Sequence, residues 1–454
     1  MRDPETAEAA ALMMDFARRT GLVGDLPPRR YLWTDAFAVC NFLGLARATG
    51  EERYRQLALA LVEQVHQVLG RHRDDDPRQG WISGLGEKEG GEHPTRGGLR
   101  IGKGLPEREP GATFRERQEW DRDGQYFHYL TRWMHALDQV SRDTGDARYN
   151  VWARELDATA YSAFSYLPDA HQPPRMYWKL SIDLSRPLVL SMGQHDALDG
   201  YITTLQLRAT RSASFPASAG PDLAGEVEAY RDMALAGQWV SPDPLGIGGL
   251  LADAYRVAQL TALGAVKDGA LLERLLQAAL NGLQSYVRRG ELEEAADYRL
   301  AFRELGLAIG LAAVRQLAEG EYEHEKPVAD RLESLRAFVP LGEAIEAFWR
   351  EPGNRQSAAW SGHRDISEVM LATRLVPEGF LALRGFGRRA AFHKADIGPR
   401  LKSSPPAGTA RMSGAWLPRQ CAKNLFYAWR AFRILFCSDI TRRVASNTDM
   451  SGRG

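Results

Sequence analysis

The chain has 454 residues, of which 44% are hydrophobic and 26% are charged, an ordinary balance for a globular protein with an extensive core. Its 58 basic residues equal its 58 acidic residues, so the formal net charge of zero gives no electrostatic signature of nucleic-acid or acidic-membrane binding. No apolar run is long enough to span a bilayer. The charge balance and the lack of such a run together mean that neither nucleic acid nor a membrane is expected as a partner.

The cysteines and the first residues bear on the cellular compartment. Cys40, Cys421 and Cys437 are odd in number, widely spaced and without metal-ligand spacing, which favours buried reduced thiols. Residues 1–19 contain four acidic side chains and no cleavable apolar segment. We therefore expect a cytoplasmic protein, and the sequence contains no motif for a cofactor or a metal.

In chain order, a short leading helix is expected at 4–20 and is followed by six pairs of helical segments. The pairs are 33–49 with 51–71, 121–143 with 147–166, 196–210 with 223–238, 246–262 with 269–288, 295–318 with 328–349, and 363–375 with 421–438. A short β-hairpin is predicted at 176–190, and a basic, Gly/Pro-rich insertion at 376–418 interrupts the sixth pair. This organisation predicts one domain over 1–440 and a polar, disordered tail at 441–454.

A repeated phrase supports the pairing. Thr49-Gly50-Glu51-Glu52-Arg53-Tyr54 returns as Thr144-Gly145-Asp146-Ala147-Arg148-Tyr149, each time between two helix-periodic runs. The glycine suits the left-handed residue that ends a helix, and the acid after it suits the N-terminus of the next helix. Two copies of one turn predict a repeated helical-hairpin architecture.

Successive antiparallel helices place the turns within pairs on one rim and the longer connections between pairs on the other. The start of every first helix then lies on the loop-rich rim, where Asp, His and Trp residues concentrate. Segments such as 37–45 and 305–314 are apolar nearly all round, as inner helices of a ring should be, whereas 51–69 carries a polar stripe.

With these hairpins and turn phrases, the chain resembles the six-hairpin (α/α)6 toroid over roughly residues 30–440. That architecture is shared by many glycosidases and by sugar epimerases of the acylglucosamine 2-epimerase type. The resemblance implies an all-α toroid with a carbohydrate pocket on the loop-rich rim. It rests on hairpin count and turns, so no catalytic residue is carried over from any family.

The densest polar constellation is residues 119–128. Three carboxylates, three aromatic residues and a histidine surround the start of one helix, and Asp121 and Asp123 are candidate catalytic acids there. One of these two acids is expected to cap the helix instead. Tyr126 and His128 are candidate substrate contacts.

A second constellation is residues 193–200, with His195, Asp196 and Asp199 as catalytic candidates and a helix cap as the plainer role for Asp196. A His-Asp pair also occurs in all-helical HD-type metal phosphohydrolases, which need an earlier His and a later Asp at helical metal spacing. His128 and His171 are the candidate partners, but they lie in other hairpins. His363, followed by Arg364 and Asp365, is a second His-acid site, and its plainer interpretation is a capped helix start.

The segment 97–103 fits the first positions of a phosphate-binding loop, but Gly104 replaces the Ser or Thr and no strand precedes it, so a nucleotide site is rejected. The connection 73–120 is nonetheless long enough to form a lid over a binding site. Four of its basic residues either bind an anion or are solvated. These four are Arg96, Arg100, Lys103 and Arg108.

Tryptophans near the loop-rich rim suit a sugar cleft because aromatic faces stack on pyranose rings. The predicted substrate contacts are Trp33, Asp35, Trp81, Trp120, Tyr126, His128, Trp178, Trp360 and Arg364. The predicted ligand is a small molecule or an oligosaccharide, and the oligomeric state is left open.

Three functions follow from these residues. The favoured one is glycoside hydrolysis, with Asp121 or Asp123 in one role and Asp196 or Asp199 in the other. The second is sugar epimerisation or isomerisation that uses His195 and His363 to move protons. The third is a non-catalytic binding or scaffold protein whose pocket would be plugged by side chains or by the 73–120 connection.

Overall fold

The structure is a computed structural model that describes residues 3–383, apart from 170–172, 321 and 323. In chain order the helices are α1 (Pro4–Arg19), α2 (Leu32–Thr49), α3 (Glu52–Leu69), α4 (Glu87–Glu92), α5 (Glu116–Glu119), α6 (Phe127–Thr144), α7 (Ala147–Phe164), α8 (Asp196–Ser214), α9 (Ala224–Ala236), α10 (Pro244–Ala262), α11 (Gly269–Arg289), α12 (Ala301–Glu319), α13 (Lys326–Arg336), α14 (Val339–Arg350), α15 (Ala358–Gly362), α16 (Arg364–Leu375) and α17 (Glu378–Leu381). The strands are β1 (Gln125–Tyr126), β2 (Ser165–Tyr166), β3 (Arg175–Met176), β4 (Lys179–Leu180) and β5 (Pro187–Val189).

Six of these helices form a closed inner ring. Each packs against the next in the order α2, α6, α8, α10, α12 and α16, and α16 returns to α2. The outer partners are α3, α7, α9 and α11 for the first four, the successive helices α13 and α14 for α12, and α1 for α16. This arrangement is the (α/α)6 toroid, so the predicted fold class is confirmed.

The sixth hairpin differs from its prediction. The predicted partner of α16 is 421–438, which lies outside the described residues, and the leading helix is not expected to take part in a pair. In the structure α1 packs on α16, because its apolar face buries Met13 and Phe16 against the ring. Arg19 strengthens the closure by donating to Asp365 at 2.8 Å and to Glu368 at 2.6 Å.

The ring belongs to the compact unit Met1–Phe386. The predicted domain end at residue 440 and the predicted tail at 441–454 lie outside the described residues, so both stay predictions. In the described ranges, no helix combines the length and the apolar character needed to cross a membrane.

The repeated phrase forms the turns that were predicted. Gly50 and Gly145 adopt left-handed φ angles of 72° and 75°, and their amides donate to carbonyls of the preceding helix turn. At the second turn, the side chain of Asp146 accepts from the Arg148 amide at 2.9 Å and caps α7. A residue with a Cβ would be strained at either glycine, so each turn depends on that residue type.

A small sheet lies at the start of α6. Strands β4 and β5 pair antiparallel within the segment predicted as a hairpin, and β1 joins the other edge of β4, giving the order β1-β4-β5. Strand β3 pairs instead with β2. The β1–β4 pairing brings residue 178 close to the start of α6, where the polar constellation begins.

Candidate active site

A cavity of about 350 Å³ opens at the N-terminal ends of the inner helices. Five of these helices line it near their starts, and α16 and α17 supply Met370 and Phe380. The polar lining residues are His128, Arg132, Gln194, His195, Asp196, Asp199, Ser241, Asp243 and Arg303. Convergent helix N-termini carry partial positive charge, so this end of the ring favours carboxylates and the oxygens of polar ligands.

One wall of the cavity is aromatic. Trp33 and Phe37 lie one turn apart on α2, with ring centroids 4.4 Å apart. Phe37 in turn stacks on Phe380 at 4.4 Å and 23°. An apolar face opposite charged groups suits a ligand with both C–H faces and hydroxyl edges.

Asp199 is an ionised carboxylate on the cavity wall. It is buried on α8, and both of its oxygens accept from one guanidinium nitrogen of Arg132 on α6, at 3.1 and 3.2 Å. Burial alone would raise the pKa of Asp199, but the charges of Arg132 and His195 and a hydrogen bond with Asp253 outweigh it and hold the pKa below its usual value.

Asp196 lies one turn before Asp199 and has the opposite electrostatic character. Burial and the charge of Asp199 raise the pKa of Asp196 to about 7, although the Gly193 amide at 2.9 Å and the charge of Arg132 oppose the rise. The N-cap of α8 is His195, so the capping role considered for Asp196 is not what the structure shows. At neutral pH its carboxyl group is therefore able to hold a proton beside an ionised neighbour.

His128 faces the same carboxyl group. Its Nδ1 is 3.9 Å from Oδ1 of Asp196, and this buried nitrogen makes no hydrogen bond. Burial lowers the pKa of His128 to about 4, so the ring is neutral at pH 7. The rings of Tyr126, Tyr129 and Trp178 surround it, which explains why its charged form is poorly solvated.

His195 and Asp243 complete the polar side of the cavity. His195 donates from Nε2 to the Trp239 carbonyl at 2.7 Å. Asp243 caps α10 by accepting from the Gly246 amide at 3.0 Å and pairs with Arg303 at 2.6 Å. Both groups are fixed by bonds to neighbouring elements and are therefore preorganised.

Asp121 and Asp123 do not line the cavity. Asp121 is exposed, and Asp123 is fully buried beneath the 73–120 connection. Asp123 accepts from Arg100 at 2.8 Å and from the Gly102 amide at 2.9 Å, and it lies 3.4 Å from Arg73. The structure thus separates this pair of acids from Asp196 and Asp199, and neither of them caps α6.

Several predicted substrate contacts also lie off the cavity lining. Asp35 is buried and accepts from the Tyr31 amide at 2.8 Å. Trp81 packs under Arg71, Trp360 stacks on Trp349, and the exposed His363 lies against Phe302. The remaining predicted contacts outside the lining are Tyr126, Trp120 and Arg364.

The residues missed by sequence reasoning follow a simple spacing. Phe37 and Arg132 lie four residues after Trp33 and His128, one helical turn deeper into the ring, so the i+4 rule would have found both. Arg303 was missed because the predicted helix began at 295, whereas α12 begins at Ala301.

The long 73–120 connection packs on itself, on the small sheet and on α7, where Thr95 donates to the Trp152 carbonyl and Arg96 to Glu155. None of its residues lines the cavity, and Trp120 at its end contacts the lining residue Trp178. Within the described ranges, no three His, Cys, Asp or Glu side chains are arranged to hold a metal, which gives the metal phosphohydrolase alternative no geometric support there. His171 lies outside the described residues.

Comparisons with known proteins agree on the fold. No family model and no curated protein sequence matches the chain. The GH76 alpha-mannanase of Bacteroides thetaiotaomicron matches in structure with a TM-score of 0.50 and 8% identity, covering 83% of this chain and 96% of that chain. The cellobiose 2-epimerase of Spirochaeta thermophila (TM-score 0.43, 12% identity, covering 82% and 96%) and a sugar epimerase from a ruminal bacterium (0.43, 10%, 81% and 98%) also match. At these identities the likeness shows the fold alone: the protein is an (α/α)6 toroid.

Proposed function

We propose that the protein is a carbohydrate-active enzyme that hydrolyses glycosidic bonds. Asp196 acts as the general acid that protonates the glycosidic oxygen, and Asp199 is the carboxylate that activates water or attacks the sugar. The structural neighbour with a TM-score of 0.50 is named as a mannanase, which is consistent with a glycosidase on this ring.

One observation carries the proposal: two carboxyl groups on the same cavity wall have pKa values displaced in opposite directions. The pKa of Asp196 is raised to about 7 and that of Asp199 is lowered, partly because the charge of Asp199 acts on Asp196. A glycosidase needs one protonated and one ionised carboxyl at the same pH.

The test is a screen of reducing-sugar release from a panel of glycosides and oligosaccharides by one purified sample. Asp196→Asn and Asp199→Asn keep the size of the side chain but remove the proton donor or the charge, and each should lower turnover by about 100-fold or more. Asp365→Asn is the control, because Asp365 lies outside the cavity in the α1–α16 contact. Full activity of both cavity variants would remove these residues from the mechanism.

A sugar epimerase or isomerase is the second candidate. In this candidate function the neutral His128, with an unbonded Nδ1 beside Asp196, is the base in a proton transfer at carbon, and His195 lines the same cavity. His363, the other histidine first considered for this chemistry, is off the cavity. Incorporation of deuterium from D2O into a recovered sugar, lost in His128→Gln and retained in Asp199→Asn, would favour this candidate over hydrolysis.

A further inference from the structure

Two tryptophans join the cavity to the solvent. Trp178 lines the cavity, and its ring stacks over His128 at 16° with centroids 6.2 Å apart. Trp120 also contacts Trp178, edge to face, with ring centroids 4.9 Å apart and ring planes at 79°. Trp120 is 44% exposed, whereas the other tryptophans of the described ranges are buried or, for Trp178, half-buried.

The backbone beneath these two rings is pinned by a buried ion pair. Lys179, which follows Trp178, is fully buried and donates from Nζ to the carbonyl of Glu119 at 2.7 Å and to its carboxylate at 3.0 Å. Glu119 immediately precedes Trp120, and Arg108 donates to its other carboxylate oxygen at 2.9 Å. A single buried contact therefore ties the residue after one tryptophan to the residue before the other.

This buried ion pair costs free energy, although the aromatic rings that it positions lie at or near the surface. Burying a lysine ammonium costs free energy that its partners only partly offset, and the nearby apolar indole of Trp120 gains little from staying in water. An exposed aromatic ring on a rigid backbone beside a cavity has the properties of a preformed stacking surface. This stacking surface continues onto Trp178 and therefore leads into the cavity.

We propose that Trp120 and Trp178 form a subsite for a second sugar ring, so that the substrate is an oligosaccharide running from the cavity to the solvent. This inference rests on the proposed function. The C–H face of a pyranose packs against an indole, and the nearly perpendicular planes of the two indoles offer faces to two differently oriented sugar rings. The part of the ligand over Trp120 is solvent-exposed, so the chain can continue beyond it.

The test measures binding and does not need turnover. Manno-, cello- and malto-oligosaccharides of one to four units are titrated calorimetrically into Asp196→Asn protein, with and without Trp120→Ala. The affinity of the series that binds should increase with length, and Trp120→Ala should weaken the three- and four-unit ligands by about 3- to 10-fold while leaving the single unit unchanged. Trp120→Phe, which retains an aromatic face, should recover most of the loss.

Leu263→Ala is the matched control, because Leu263 is similarly exposed but caps the C-terminal end of α10, away from the cavity. It should leave all affinities unchanged. Three results would contradict the subsite. Trp120→Ala leaves the affinity for the long ligands unchanged, it weakens the affinity for the single unit equally, or no oligosaccharide binds the Asp196→Asn protein. Length-dependent binding in a protein that hydrolyses none of the ligands would support the subsite and count against the hydrolase.

Discussion

Arg132 on α6 holds both carboxylate oxygens of Asp199 on α8 from a single guanidinium nitrogen, at 3.1 and 3.2 Å. The contact joins two neighbouring inner helices and fixes a negative charge on the cavity wall. Burial and that charge together raise the pKa of Asp196, whereas the positive charge of Arg132 acts on Asp196 in the opposite direction.

Arg132→Met should therefore destabilise the fold as well as alter the site. The substitution leaves the buried Asp199 without its cation, and breaking a buried pair in this way costs about 3–5 kcal/mol. Urea unfolding measures the loss. Arg303→Met is the control, since the Arg303–Asp243 pair is more than one-third exposed on both sides and should contribute at most about 1 kcal/mol. Equal effects of the two substitutions would contradict this assignment of strength.

Asp123→Asn should act on stability and not on chemistry. Asp123 is fully buried between Arg100 and the amides of Gly102 and Lys103, so its neutralisation leaves a poorly compensated arginine under the 73–120 connection. We expect a loss of about 3–5 kcal/mol in the free energy of unfolding. The exposed Asp121, changed to Asn, should have little effect. Abolished turnover with an unchanged melting temperature would instead return Asp123 to the mechanism.

Asp157→Asn should change how stability depends on pH. Burial raises the pKa of Asp157 from 3.8 to about 7, against a hydrogen bond from Thr204 that lowers it. The folded state then keeps a proton that the unfolded chain releases, so stability is lost as the pH rises from about 4 to about 7. Asn has no such proton. The stability of the variant relative to the parent should therefore increase by roughly 1–4 kcal/mol across this window and level off above it.

Urea unfolding at a series of pH values measures this difference. Asp157 does not line the cavity, so activity at a fixed pH should be unchanged. A constant difference between the two proteins from pH 4 to pH 8 would contradict the raised pKa.

Phe16→Ala tests the closure of the ring. Phe16 is buried on α1, and α1 is the outer partner of α16, so its truncation should cost about 3–5 kcal/mol in the free energy of unfolding. Leu26→Ala, at an exposed site just after α1, should stay within about 0.5 kcal/mol. Equal, small effects would mean that α1 is not part of the folded ring in solution.

The architecture could be predicted from the sequence more completely than the candidate site. The Thr-Gly-acid turns and the apolar inner segments are local signals, and they predicted the hairpins because helix period and glycine caps depend on nearby residues. The contact between α1 and α16 was not predicted, because it joins Arg19 to Asp365, 346 positions apart along the chain. No local pattern specifies such a pairing.

The candidate site was predicted only in part, again because local patterns do not specify long-range contacts. Asp196, Asp199, His128 and His195 reach the cavity because they start inner helices, as the rim argument required. Asp123 has the same local appearance, yet its carboxylate is taken up by Arg100 from a distant loop, and only the folded contact distinguishes the two cases. The predicted cytoplasmic location has no structural counterpart and stays a prediction.

The most direct test of the proposed mechanism is the pH profile of kcat/KM for the parent and for Asp196→Asn on the best glycoside. In the parent, kcat/KM should fall above about pH 7 as Asp196 loses its proton, while the low pKa of Asp199 confines the acid limb to lower pH. Asp196→Asn should lose at least about 100-fold in rate together with the alkaline limb. An unchanged alkaline limb in a variant that keeps most of its activity would contradict the assignment of Asp196 as the proton donor.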